Sequence, residues 1–320
     1  MRQYRKYVHL LVFIVIVYIA LQIDDQFFVY NDMPMKNTLP TIRINQMEDD
    51  PLYTEIVEKS IAYEEEAEDA YIDQVWKKMP GRNGLKVNVE KSYERMKERD
   101  TFQESFLVFE QVKPDVTLKD LPAAPIYRGH PKKQMVALLI NVSWGTEHIY
   151  PILNTLKEHD VKASFFIEGK WAKENIELVK AIAEQGHLIG NHAYNHPDMA
   201  RLTAQENTEQ IKQTNEILKA ITEETVEWFA PPSGSYTEEV VKIAHDMNMQ
   251  TILWTVDTID WKNPSVSVMN QRVMRNIHPG AMILMHPTKS VEQGLDALIE
   301  EIKEAGYKLD TVERLLSEDR

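Results

Sequence analysis

The chain has 320 residues, 43% of them hydrophobic, and a net charge of −14 from 36 Lys and Arg against 50 Asp and Glu. That length supports two domains or one large domain with an appendage, and the carboxylate excess, with no offsetting basic patch, argues against a nucleic-acid partner. The absence of cysteine excludes a disulfide scaffold, a thiol nucleophile, thiolate zinc ligands and a lipoprotein cysteine.

Residues 1–7 form a basic tail carrying Arg2, Arg5 and Lys6, and an apolar run follows over 8–23, broken only by His9, Tyr18 and Gln22. At 1.5 Å per residue such a run reaches ~24 Å, somewhat under the ~30 Å hydrocarbon core. No small-x-small cleavage site follows it, because the exit reads Ile19-Ala20-Leu21-Gln22-Ile23-Asp24-Asp25. The pattern favours an uncleaved signal anchor over a cleaved signal peptide or a buried core helix. Basic residues on its N-terminal side then predict a single-pass membrane protein with everything after Asp24 outside the cytoplasm.

Residues 24–46 contain Pro34 and Pro40 without sustained periodicity and read as a linker. A small α+β module is predicted over 47–114. Within it, 64–69 reads as an acidic helix start and 70–76 has apolar residues at helical spacing. Pro80-Gly81-Arg82-Asn83-Gly84 is a turn, followed by a strand at 85–89, a helix at 90–97 and a strand at 106–111. A Pro-containing connector covers 115–133.

Over 134–320 the pattern alternates. Strands are predicted at 136–142, 163–167, 188–190, 228–230, 251–256, 281–285 and 307–309. Helices fall near 150–158, 175–185, 203–221, 237–247, 266–276 and 291–305. This is the signature of parallel β/α units in an α/β fold. Seven strands in this length suit a distorted (β/α)7 barrel, in which chemistry gathers beyond the carboxyl ends of the strands. Five segments lie at those ends. They are Asn141-Val142, Gly190-Asn191-His192-Ala193-Tyr194-Asn195-His196-Pro197, Ala230-Pro231-Pro232, Asp257-Thr258-Ile259-Asp260-Trp261 and Leu284-Met285-His286. His192 and His196 are the candidate ligand pair, since two imidazoles on one turn can face a cation at about 2.0–2.1 Å.

The series resembles the NodB-type polysaccharide deacetylases, the fourth carbohydrate esterase family, from residue 136 to about 316. The resemblance implies a NodB-type barrel and a divalent metal, most often zinc, on His192 and His196. The family's third ligand is the second Asp of a Thr-Phe-Asp-Asp segment, which aligns with Leu139-Ile140-Asn141-Val142. Asn141 thus stands at the catalytic-base position and Val142 at the metal-ligand position, so both are degenerate and zinc is expected to be weakly bound or absent. Ala230 stands where the family carries the Arg that orients the base. Glu147 is a candidate substitute base or ligand. His286 resembles the general acid and Asp257 the carboxylate that pairs with it. Trp261 and Leu284 match apolar positions around the acetyl methyl, while Pro232 and the loop to Tyr236 read either as groove lining or as a plain turn.

With its anchor and leader module the whole chain looks like the sporulation-associated deacetylase-like membrane proteins of spore-forming Gram-positive bacteria. That implies peptidoglycan, or another N-acetylated glycan, as the partner. Three functions stay open: metal-dependent de-N-acetylation, glycan binding by a pseudoenzyme without turnover, and a structural role in wall assembly through 47–114.

Overall fold

The computed structural model describes residues 49–320; the predicted anchor at 8–23 and linker at 24–46 lie outside the described residues. Ile56–Arg320 form one compact unit, and the described part of the preceding unit, Met1–Glu55, leads into the helix Pro51–Ser60. No helix among the described residues is long and apolar enough to cross a membrane.

The leader module departs from its helical expectation. Residues 70–76 supply β1 (Tyr71–Asp73) and the turn into β2 (Lys77–Met79), an antiparallel hairpin. Asp73 accounts for the difference, because its Oδ1 accepts from the Val75 and Trp76 amides, both at 2.7 Å. Such an Asx turn satisfies backbone donors locally and competes with a helix. The acidic stretch at 64–69 is also not a helix start: Glu65 bridges to Leu85 and Glu68 to Arg82. The Arg82 guanidinium reaches Glu65 at 3.0 Å and Glu68 at 3.5 Å, neutralising carboxylates that would repel one another along a helix. The strands β3 (Gly84–Val87) and β4 (Phe109–Val112) pair antiparallel around the helix Val89–Met96.

The larger sheet contains β5 (Met135–Val142), β6 (Ser164–Ile167), β7 (Leu188–Asn191), β8 (Trp228–Phe229), β9 (Gln250–Thr251), β10 (Val256–Asp257), β11 (Met282–Met285) and β12 (Lys308–Leu309). Seven run in the order β10-β11-β5-β6-β7-β8-β9, all pairings parallel, and β12 adds to the start of β5. The result is a curled half-barrel rather than a closed seven-stranded barrel, with β9 and β10 at opposite ends of the path. The reason lies in the predicted strand at 251–256, which splits. Leu253 N donates to Ile126 O at 2.8 Å, whereas Thr255 N donates to Met282 O at 3.2 Å, so the chain crosses from one sheet edge to the other. Ile126, fully buried, lies parallel to Ile252 and antiparallel to Lys77, and so covers the β9 edge.

Side chains alternate across β5, as a two-residue period requires. Val136, Leu138, Ile140 and Val142 pack into the core between sheet and helices, whereas Ala137 and Leu139 enter a smaller core inside the curl with Phe166, Ala230 and Met282. Several helices that return the chain to the sheet begin at a Ser or Thr cap, including Thr203, Thr237, Ser265, Thr288 and Thr311. The module packs on this barrel unit through Lys78, whose buried Nζ donates to Gln250 Oε1 at 2.9 Å, and through Asn83 N donating to Glu318 O at 2.8 Å.

Candidate active site

His192 leaves the end of β7 and is almost fully buried. Its Nδ1 pairs with the Ala230 carbonyl at 2.7 Å. That bond fixes a proton on Nδ1 and leaves the lone pair on Nε2. Burial, reinforced by neighbouring His196, pushes His192 down to about 3, so the ring is neutral at ordinary pH. His196 follows on a left-handed turn (φ 56), with its ring centroid 5.1 Å from that of His192. Burial also holds His196 below its usual range. The two predicted ligands are therefore neighbours.

The third position does not join them. Val142 is fully buried in the layer between sheet and helices. Asn141 is 3% exposed, and its Oδ1 is buried without a hydrogen-bond partner among the described residues. Ala230 offers only its backbone carbonyl, to His192. Glu147 is exposed, 3.7 Å from His148 Nε2, and does not line the cleft. Among the described residues no three His, Cys, Asp or Glu side chains come together to hold a metal. The donor set is a bare imidazole pair, which does not fit the three-ligand centre implied by the family.

One expected pairing is corrected. The partner of His286 is Asp260, not Asp257. Asp260 is fully buried and accepts from His286 N at 2.6 Å and from His286 Nδ1 at 2.8 Å. The left-handed turn at Ile259 (φ 52), anchored by the Thr258 hydroxyl donating to Leu284 O at 3.0 Å, carries Asp260 beneath the imidazole. Asp257 instead accepts from Ile259 N at 2.8 Å. With Nδ1 committed to Asp260, His286 presents Nε2 for chemistry.

These residues surround a cleft of about 390 Å³ lined by Asn141, Trp144, His196, Ser233, Trp254, Asp257, Trp261, Leu284 and His286. Its size suits a small ligand held by apolar walls and a few polar groups. A larger cleft of about 550 Å³ lies at the opposite strand ends, around Lys162, His187 and Arg314, and contains none of the strand-end motifs. Trp261 and Leu284 line the candidate cleft, but Pro232 and Tyr236 do not. Pro232 is buried, and the Tyr236 hydroxyl bonds to that of Tyr127 at 2.8 Å. Of the loop from Pro232 to Tyr236, Ser233 reaches the cleft, whereas the roles of Asp260, Trp144 and Trp254 were missed by sequence reasoning. Asp260 stands in the sequence as the second carboxylate of Asp-Thr-Ile-Asp-Trp, whereas the two tryptophans carry no pattern of donors.

Comparison with known proteins agrees with this geometry. The family model described as Polysaccharide deacetylase matches residues 128–252. The chain is 46% identical over 318 residues to the uncharacterised protein YlxY of Bacillus subtilis (strain 168), covering 99% of each. It is similar at 52% identity and a TM-score of 0.79 to BA3943, a CE4 family pseudoenzyme from Bacillus anthracis, over 84% of this chain and 96% of that one. A BA3943 mutant with restored enzymatic activity aligns at 50% identity and a TM-score of 0.79, over 84% and 99%. The peptidoglycan-N-acetylglucosamine deacetylase of Bacillus cereus is 36% identical over 191 residues, which is 58% of this chain and 70% of that relative. The chain belongs to the polysaccharide deacetylase family, CE4. It is a deacetylase-like member with a degenerate base and ligand motif.

Proposed function

We propose that this chain is a pseudoenzyme that binds the N-acetylated sugars of peptidoglycan outside the cytoplasm, held at the membrane by residues 8–23, and does not hydrolyse them. One observation carries the reading: the buried, unpartnered Oδ1 of Asn141 stands at the cleft where a carboxylate would have to take a proton from water. A neutral amide cannot accept that proton, and general-base catalysis contributes about 10²–10⁴-fold. Val142, turned into the apolar core, leaves the imidazole pair without its anionic partner. The donor half persists in His286 and Asp260, and the cleft persists around them. The peptidoglycan class is supported by the named activity of the Bacillus cereus relative, and loss of turnover by the pseudoenzyme status of BA3943.

Acetate release from a β-1,4-linked N-acetylglucosamine oligomer tests the proposal, with and without added zinc. The wild-type chain is expected to release none above buffer in either condition. The combined Asn141→Asp, Val142→Asp, Ala230→Arg variant is expected to gain at least ~10²-fold, the lower end of a restored base. Acetate release by the wild-type chain that is lost on Asp260→Asn would overturn the pseudoenzyme reading.

A further inference from the structure

Trp144 stands in the turn after β5, 45% exposed, with its ring 6.0 Å from that of His286 and 13° from parallel. One face of the indole is thus backed by the imidazole while much of the side chain remains open to solvent. The loop that carries it is pinned on its far side. Gly145 adopts φ 75, and a Cβ there would lie 2.0 Å from Pro287 O. Thr146 Oγ1 accepts from Trp171 Nε1 at 3.1 Å. A backbone fixed on both following residues leaves the loop little freedom to lose when a ligand binds.

Trp261 is the other exposed indole at the cleft, at 53%, but Lys262 Nζ already lies 4.8 Å from its ring centroid. Trp144 is the better platform for a neutral ligand. Asp257, which lines the same cleft and is not paired with His286, accepts from Ile259 N with one oxygen, and its other oxygen has no partner among the described residues. An apolar plate and a lone carboxylate oxygen in one cleft suit a pyranose, whose ring carries C–H groups on its faces and hydroxyl donors on its edge.

We infer that Trp144 and Asp257 form a sugar subsite, in which a pyranose ring of a β-linked N-acetylated glycan lies on the Trp144 indole and donates a hydroxyl to Asp257. The inference rests on the glycan-binding reading above and adds the residues that do the holding. The indole gives stacking without hydrolysis, so the subsite works whether or not the base is present.

The test is calorimetric titration of the full chain with a β-1,4-linked tetramer of N-acetylglucosamine, with tryptophan fluorescence read in parallel. Trp144→Ala is expected to weaken binding at least about tenfold, Asp257→Asn about threefold or more, and Trp144→Phe less than Trp144→Ala. The fluorescence response of the wild-type chain is expected to fall in Trp144→Phe, a change that a merely structural tryptophan would not produce. Val268→Ala, an exposed position outside the cleft, is expected to bind as the wild type does. Undiminished binding by both Trp144 variants would overturn the subsite and leave the glycan reading standing. No binding by the wild-type chain would overturn both.

Discussion

Asp260 is enclosed completely, and both of its carboxylate oxygens are engaged by His286, so its charge is committed before any ligand arrives. Asp257 stands three residues earlier with only one backbone amide on it. If the Asn141→Asp, Val142→Asp, Ala230→Arg variant gains turnover, adding Asp260→Asn is therefore expected to lower its kcat by ~10²-fold or more, and adding Asp257→Asn by under ~10-fold; steady-state rates of acetate release separate the two. Glu168 follows β6 at the cap of the helix Gly169–Glu174 with its side chain largely buried, and desolvation pushes it up to about 7 from the ordinary carboxylate range. Between pH 4.5 and 7 the folded chain then binds more protons at Glu168 than the unfolded chain does, so stability falls as pH rises through that window. Glu168→Gln removes this loss. It is expected to raise unfolding free energy by about 1–2 kcal/mol at pH 8 and to change little at pH 4, as measured by urea titration.

At the scale of elements, the loop from β5 to the helix Thr146–Glu158 is held closely at Gly145. Gly145→Ala places a methyl against the Pro287 carbonyl in a left-handed backbone. It is expected to cost more than ~2 kcal/mol in a denaturant midpoint and to weaken glycan binding by displacing Trp144. The same scale shows why some of the fold is legible in the sequence. The strands β5, β6, β7 and β11 are mostly apolar and buried on both faces, and the helix Val266–Asn276 falls where its periodicity puts it. By contrast β8, β9 and β10 are two residues each, because they form only the ends of the curl, and no periodicity survives over two residues. The hairpin of β1 and β2 is hidden for another reason: the apolar spacing around Ile72, Val75 and Trp76 is helical, but all three are exposed and the Asp73 side chain decides the turn. In the site, the paired histidines and the missing carboxylates are plain from residue type. The choice between Asp257 and Asp260 depends on one left-handed residue, Ile259, which its residue type does not announce.

Across the whole molecule, the proposed anchor at 8–23 would set where the cleft works. Protease added to intact protoplasts is expected to digest the region over 134–320 and leave a small membrane-bound fragment. Full protection, followed by blotting for the His192 region, would place that region in the cytoplasm and remove the anchor. The described unit is also closed by contacts between its distant ends. Asn83 meets Glu318 through the backbone and Asp319 through its side chain, and Glu65 is bonded by Arg320, which helps to hold the Glu65 carboxyl down at about 2. This closure bears on synthesis. Asn83 and Asp319 are 236 positions apart, a span that takes roughly tens of seconds to translate. Until it is complete, the leader module lacks one of its walls. A nascent chain therefore cannot close this wall early, and the contacts made by Glu318, Asp319 and Arg320 form only after the barrel strands have been made.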